Sequence, residues 1–174
     1  MSYSYCPVCG TAYTATAQQE PFSFHCESCD YTYYESLRTT ATALIIREGK
    51  ALLVKRGINP EKGTWDLPGG FVRPDEHPEQ AVIRELQEEL GVSIKIHSLY
   101  FVNAPGEYVY KEIMSYTCDH LYLCTLESEE LAANDDVAEF RWFSRDELPP
   151  NEQVFSPEHP VFDHLRKDDK VWQV

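Results

Sequence analysis

The chain has 174 residues, 43% hydrophobic and 25% charged, a composition that gives a globular protein room for one good core and a small appendage. Its 15 Lys+Arg against 29 Asp+Glu leave a net charge of −14, which argues against a protein built on a basic stripe for nucleic-acid phosphates or anionic membranes. No apolar run approaches the roughly 18 residues of a membrane span, and the N-terminus has neither a basic nor an apolar leader region, so a cytoplasmic location without a membrane partner is expected.

Residues 1–36 are rich in Cys, Tyr, Thr and Ser, lack a helical apolar period, and read as a small loop-and-hairpin unit. Cys6-Pro7-Val8-Cys9 and Cys26-Glu27-Ser28-Cys29 are two C-x2-C pairs with sixteen residues between them, the spacing of a four-thiolate zinc site. Each tight turn sets two sulfurs on one side of a hairpin tip, and two tips complete a tetrahedron, with Gly10 suited to the turn. Four thiolates leave no open position, so the expected Zn²⁺ is structural, and its binding contributes most of the folding free energy of so small a unit. Disulfides or a redox C-x2-C are the alternatives; a reducing compartment and the lack of a surrounding βαβ pattern speak against both. Cys118 and Cys124 lie six apart in a strand, about 20 Å from each other on one face, and suit a buried apolar role.

The runs Ala41–Ile46 and Ala51–Val54 flank Arg47-Glu48-Gly49-Lys50 and predict a hairpin. Pro68-Gly69-Gly70 predicts a turn or bulge. Pro78 to Leu90 predicts a helix stopped by Gly91. Strands are expected over Ser93–Val102, Glu112–Leu126 and Val137–Phe143, and a short helix over Val161–Lys167. Mixed strands with a central and a terminal helix make an α/β domain.

The helix carries the chemistry. The segment reads Gly70-x5-Glu76-x7-Arg84-Glu85-Leu86-x-Glu88-Glu89-x-Gly91-Val92. With Glu85 at the origin, Glu88 falls at about −60° and Glu89 at about +40°, while Val82, Ile83, Leu86 and Leu90 share an apolar face turned inward. Three carboxylates on neighbouring turns repel one another, and hard divalent cations resolve that repulsion because carboxylate oxygens are what Mg²⁺ and Mn²⁺ prefer. A solvated acidic face is the alternative for a Glu-x-x-Glu-Glu run taken alone.

Gly70 to Val92 resembles the signature of the Nudix hydrolases at every fixed position. Leu52–Arg56, Gly63–Phe71 and Glu139–Phe143 are similar to the strands around that signature, so the resemblance covers about residues 38 to 150. It implies a Nudix-like α/β/α sandwich with a mixed sheet and a catalytic loop–helix–loop, occupying residues 37–174 behind a zinc ribbon at 1–36. It implies Mg²⁺- or Mn²⁺-dependent cleavage of the pyrophosphate linkage of a nucleoside diphosphate joined to a second moiety, such as ADP-ribose or a dinucleotide. Glu85, Glu88 and Glu89 would be the metal carboxylates, with Asp136 or Glu139 as a further acid from a later loop. Arg84 would orient the carboxylates, and Gly70 would let the backbone approach the metal. Glu76 matches the remaining fixed acid or serves as a helix-entry anion. Arg47, Lys55, Arg56 and Arg73 are the candidate phosphate-facing cations.

A zinc ribbon before such a domain is similar to the arrangement in NADH pyrophosphatases. The Ser-Gln-Pro-Trp-type run of those enzymes is replaced by Phe101–Tyr108, which argues against NADH. Tyr108 and Tyr110 lie about where diadenosine-polyphosphate hydrolases carry a tyrosine, and either stacks on a base or fills core. The expected partner is a small nucleotide, and a homodimer is left open. A non-catalytic nucleotide-sensing or nucleic-acid-binding module is the alternative function; catalytically dead relatives usually lose a box glutamate, and none is lost here.

Overall fold

The computed structural model describes residues 4–14, 22–128 and 130–173. Among them the chain forms two sheets. The small one is a hairpin of β1 (Ser23–Cys26) and β2 (Tyr31–Tyr34). The large one is mixed, in the order β5 (Trp65–Asp66), β4 (Lys50–Arg56), β3 (Arg38–Arg47), β8 (Ile113–Leu126) and β7 (Ile94–Tyr110), with β6 (Gly69–Phe71) on β3 and β9 (Val137–Ser144) on β4. The β3–β8 pair is parallel and the others are antiparallel.

Alternation along β3 divides the core. Ala41, Ala43 and Ile45 face α1 (Pro78–Leu90) through Val82, Leu86 and Leu90, whereas Leu44 and Ile46 face α2 (His159–Leu165) through Val161, Phe162 and Leu165. A sheet with one helix layer on each face is the expected α/β/α sandwich. No helix among the described residues is long and apolar enough to cross a membrane.

The hairpin β3–β4 forms where predicted, with Glu48 and Gly49 both at positive φ (52° and 69°), the conformation of a two-residue turn whose twist matches the strands. Helix α1 has the predicted bounds. Pro78 starts it, His77 and Gln80 exchange a capping box, and Gly91 ends it at φ 69°.

Four expectations are corrected. Ile83 sits at the margin of the apolar arc, and the structure leaves it 44% exposed. The Gly-Gly turn is instead strand β6: Gly69 pairs with Thr42 so closely that a Cβ would stand 2.3 Å from the Ala41 carbonyl oxygen. Strand β7 runs on to Tyr110 because bulges carry Pro105 and Gly106 within its pairing to β8. The terminal helix begins at His159, two residues before the expected start.

The cysteine unit leans on the sandwich through Phe22, whose ring meets Tyr116 of β8 edge-on at 5.6 Å. Cys124 is buried and Cys118 half-buried, and neither is bonded to another cysteine.

Candidate active site

Two loops supply matching cysteine turns. Gly10 N–H donates to the Cys6 carbonyl at 2.9 Å and Asp30 N–H to the Cys26 carbonyl at 2.8 Å, and both Gly10 (φ 73°) and Asp30 (φ 59°) are left-handed. The turns face each other. Cys6 Sγ lies 3.7 Å from Cys29 Sγ, Cys9 Sγ lies 3.6 Å from Cys26 Sγ, and all four sulfurs fall within 4.8 Å of one another. Sulfurs at the corners of a tetrahedron with Zn–S of about 2.3 Å would be about 3.8 Å apart, so the cage has the size for zinc. The Thr11 hydroxyl, aided by its backbone N–H, draws the Cys9 thiol down to about 6, whereas burial pushes the Cys29 thiol up to about 12.

The second cluster is built on α1 and the strand before it. Arg84 is its hub. Its Nε and Nη2 each donate to a Glu76 oxygen at 2.8 Å, its Nη1 donates to Glu85 at 2.6 Å and Glu88 at 3.0 Å, and Nη2 also reaches the Phe71 carbonyl at 3.1 Å. The bidentate hold on Glu76 drives that carboxyl down to about 2, and the pair fixes the Arg84 guanidinium. Glu88 is shared with Arg73 at 3.4 Å and points to the exposed side.

Glu89 has a different setting. It is 6% exposed, and among the described residues its carboxylate has one donor, the Gly69 N–H at 3.0 Å. Burial raises its pKa well above the ordinary carboxylate value, and the neighbouring charges of Asp136 and Glu85 add to the shift. Burial likewise raises Glu85, against the pull of Arg84, and raises Asp136. Gly70 leaves room beside them: a Cβ there would stand 2.7 Å from the Glu85 carboxyl carbon and push that side chain from its Arg84-bound position.

The sequence candidates therefore separate in space. Glu85, Glu89 and Asp136 interact electrostatically, and Gly70 abuts Glu85. Glu139 lies on β9 facing Lys55 at 3.5 Å, and Arg47 lies over the Trp142 ring at 4.6 Å. Arg56 reaches the site but is held by Asp66 at 3.0 Å and by the Pro60 carbonyl at 3.0 Å. Buried Glu89 lies between half-buried Glu85, which is paired with Arg84, and half-buried Asp136, near the Arg56 charge. Clustered carboxylate oxygens are the donors that Mg²⁺ and Mn²⁺ take, with waters completing the shell. The glutamate oxygens do not converge as tightly as the sulfurs, because Arg84 draws Glu85 and Glu88 toward itself.

Gly69, Gly70 and Asp136 also border a cleft of about 220 Å³, walled by Phe71, Tyr108 and Phe155. Phe71 and Tyr108 meet edge to face at 5.5 Å, Tyr108 and Phe155 at 6.2 Å, and the Arg38 guanidinium lies 4.0 Å over the Phe71 ring. Sequence reasoning missed three cleft or near-cleft acids. Asp66, pushed up to about 7 by burial, Asp119 and Glu158 carry no local signal, since each comes from a different element.

These carboxyls predict how stability varies with pH. Glu85, Glu89, Asp66, Asp119, Asp136 and Glu158 have folded-state values above their unfolded ones, so the stability they contribute is complete below the ordinary carboxylate range. It is lost as pH rises through the folded values, that of Asp66 being about 7. Glu76 acts oppositely, its contribution vanishing as pH falls toward about 2. The metal-free protein is thus expected to melt highest near about pH 5 and lower at about pH 8, with Mg²⁺ reducing the fall. A metal-free melting temperature that rises across that interval contradicts the assignment.

The Nudix domain family model matches residues 36–165. An ADP-ribose pyrophosphatase of Methanocaldococcus jannaschii is 32% identical over 136 residues, 78% of each chain. A NAD-capped RNA hydrolase NudC of Haemophilus influenzae is 30% identical over 156 residues; these are 86% of this chain but 56% of that protein, so the chain spans little more than half its length. A NUDIX hydrolase from Nitrosomonas europaea, a solved structure, superposes with a TM-score of 0.73 at 26% identity, covering 95% of this chain and 89% of that one. The chain belongs to the Nudix hydrolase family.

Proposed function

We propose that the chain is a divalent-cation-dependent pyrophosphohydrolase that splits the phosphoric anhydride of a nucleoside diphosphate linked to a second moiety, with ADP-ribose-type nucleotides as first candidates. The observation that carries this reading is the burial of Glu89 beside Glu85 and Asp136 at the border of an aromatic-walled cleft. Glu85 and Glu89, with Glu88 and Asp136 beside them, would hold Mg²⁺ or Mn²⁺, which when bound would offer positive charge to pyrophosphate oxygens and lower the pKa of a water.

The chain's own groups do the rest. Arg84 fixes Glu85 and Glu88 so that neither must be ordered when substrate arrives. The bare backbone at Gly69 and Gly70 lets an anhydride come close to the carboxylates. The proton of the attacking water passes to a carboxylate of the cluster, and Asp136 is placed for this at the cleft's border, across from the Arg84-bound Glu85. The C-x2-C pairs hold one structural Zn²⁺ in a unit over residues 1–36, ahead of a hydrolase domain over 37–174.

The resemblance to an ADP-ribose pyrophosphatase over 78% of each chain supports the choice of first substrate. The test is a panel of ADP-ribose, NADH, diadenosine tetraphosphate, nucleotide sugars and nucleoside triphosphates, with Mg²⁺ and with Mn²⁺. Release of AMP from ADP-ribose is the expected outcome. Silence across the panel would favour a nucleotide-sensing module.

A further inference from the structure

The four cations that the sequence nominates for phosphate all have other partners. Arg47 lies over the Trp142 ring at 4.6 Å, Lys55 pairs with Glu139 at 3.5 Å, Arg56 is held by Asp66 and the Pro60 carbonyl, and Arg73 reaches Glu88 at 3.4 Å. The threonine hydroxyls of the cleft are engaged as well. Thr42 donates to Asp119 at 2.6 Å and Thr40 bonds the same carboxyl, while Thr117 donates to the Gly106 carbonyl at 3.3 Å. An anhydride laid against Gly69 and Gly70 therefore has Asp66, Asp136 and Glu158 around it and few donors to meet it.

Arg38 differs from these groups, and nothing in the local sequence marks it. Strand alternation sets it in one row with Thr40 and Thr42, both cleft residues, at the exposed start of β3. Its guanidinium lies 4.0 Å over the Phe71 ring and 6.0 Å from the ring of Tyr108, two walls of the cleft, and Phe71 directly follows Gly70. Among the described residues no carboxylate lies within ion-pair distance of Arg38, in a chain with 29 acids to 15 bases. Arg47 and Arg141 share that lack, but the rings beneath them, Trp142 and Phe143, do not border the cleft. A guanidinium resting on an aromatic face spends its flat side there and keeps its in-plane N–H fork open, the geometry that takes a pair of phosphate oxygens.

We infer that Arg38 is a substrate-binding residue whose N–H fork takes the phosphoryl group of the anhydride that lies farther from the glutamates of α1. One phosphoryl group faces those glutamates and the cation they would hold. The other has the cleft's acids beside it and needs a positive donor of its own, which Arg38 brings from the Phe71 side. The stacking on Phe71 orders the guanidinium before substrate arrives, so less side-chain freedom is lost on binding. The assignment rests on the hydrolase reading, which places the anhydride at Gly69 and Gly70.

The test is calorimetric binding of α,β-methylene-ADP, which keeps both phosphoryl groups on a bridge that water cannot split, to the full chain in Mg²⁺. R38M keeps an unbranched stem over Phe71 and removes the charge, and it should weaken binding about tenfold or more. R38K restores a point charge without the planar fork and should lie between R38M and the wild type. In turnover of ADP-ribose, R38M should raise KM by more than it lowers kcat, the pattern of binding shared by ground and transition states. Affinity of R38M within about twofold of the wild type overturns the inference, as does R38K binding no better than R38M, which would trace the loss to packing on Phe71. Should R38M fail to melt cooperatively, R38K against the wild type decides, an unchanged affinity overturning the inference. Weakened binding in R38M without turnover of any nucleotide would remove the hydrolase reading and keep this one; turnover with a KM indifferent to R38M would do the reverse.

Discussion

Glu89→Gln is expected to lower Mg²⁺-dependent turnover by on the order of 10³-fold or more while leaving the fold intact. The carboxylate sits 6% exposed, with one backbone donor and three neighbouring acids, Asp136, Glu85 and Asp66, so the folded protein gains nothing from its charge. An amide of the same shape keeps its oxygen on the Gly69 N–H and removes the repulsion. Melting temperature near neutral pH should therefore hold or rise as activity disappears. A stable variant with an unchanged rate would remove Glu89 from the metal site, whereas an unfolded one would contradict the electrostatic argument. Glu88→Gln should cost less, because Glu88 is shared between Arg73 and Arg84 on the exposed side.

Removal of zinc should have an effect of a different kind. Metal analysis is expected to find one tightly held Zn²⁺ per chain, in a cage whose paired sulfurs stand 3.6 and 3.7 Å apart. Structural zinc contributes about 10–16 kcal/mol to the folding of isolated finger peptides, far more than the β1–β2 hairpin could gain by burial. Cys26→Ser, or a strong chelator, should abolish amide protection in Ser23–Tyr34 while α1 and the large sheet stay protected. Hydrogen exchange reads both regions in one experiment. Zinc-free protein with its hairpin amides still protected would rule out the metal as the organiser of this unit.

What could be read from the chain beforehand depended on how local each cause was. Helix α1 was legible to the residue because Pro78, the His77–Gln80 cap and Gly91 act within a turn of its ends. The thiolate cage was legible because its spacing is itself the constraint. Ile83 was misplaced because an arc drawn at 100° per residue says nothing about how wide a neighbour covers it. The strand expected to stop at Val102 continues past Pro105 and Gly106, because β8 holds that stretch through bulges that only pairing creates. Glu158, Asp119 and Asp66 were invisible, since an isolated acid in a chain with 29 of them has no pattern. Their chemistry arises when β5, β8 and the Ser156–Glu158 turn converge.

The Thr42–Asp119 hydrogen bond spans 77 residues and lies on the parallel β3–β8 pair. Such a contact closes a long loop, so it forms late relative to the helix and hairpin encoded between its ends. During synthesis the segment from β3 to α1 emerges before β8, bearing the full glutamate pattern and the Gly69–Gly70 backbone but no partner for the open side of β3. A ribosome paused before β8 therefore holds the acids of a pyrophosphohydrolase without its cleft. Competence arrives only as the second half of the chain is laid beside the first.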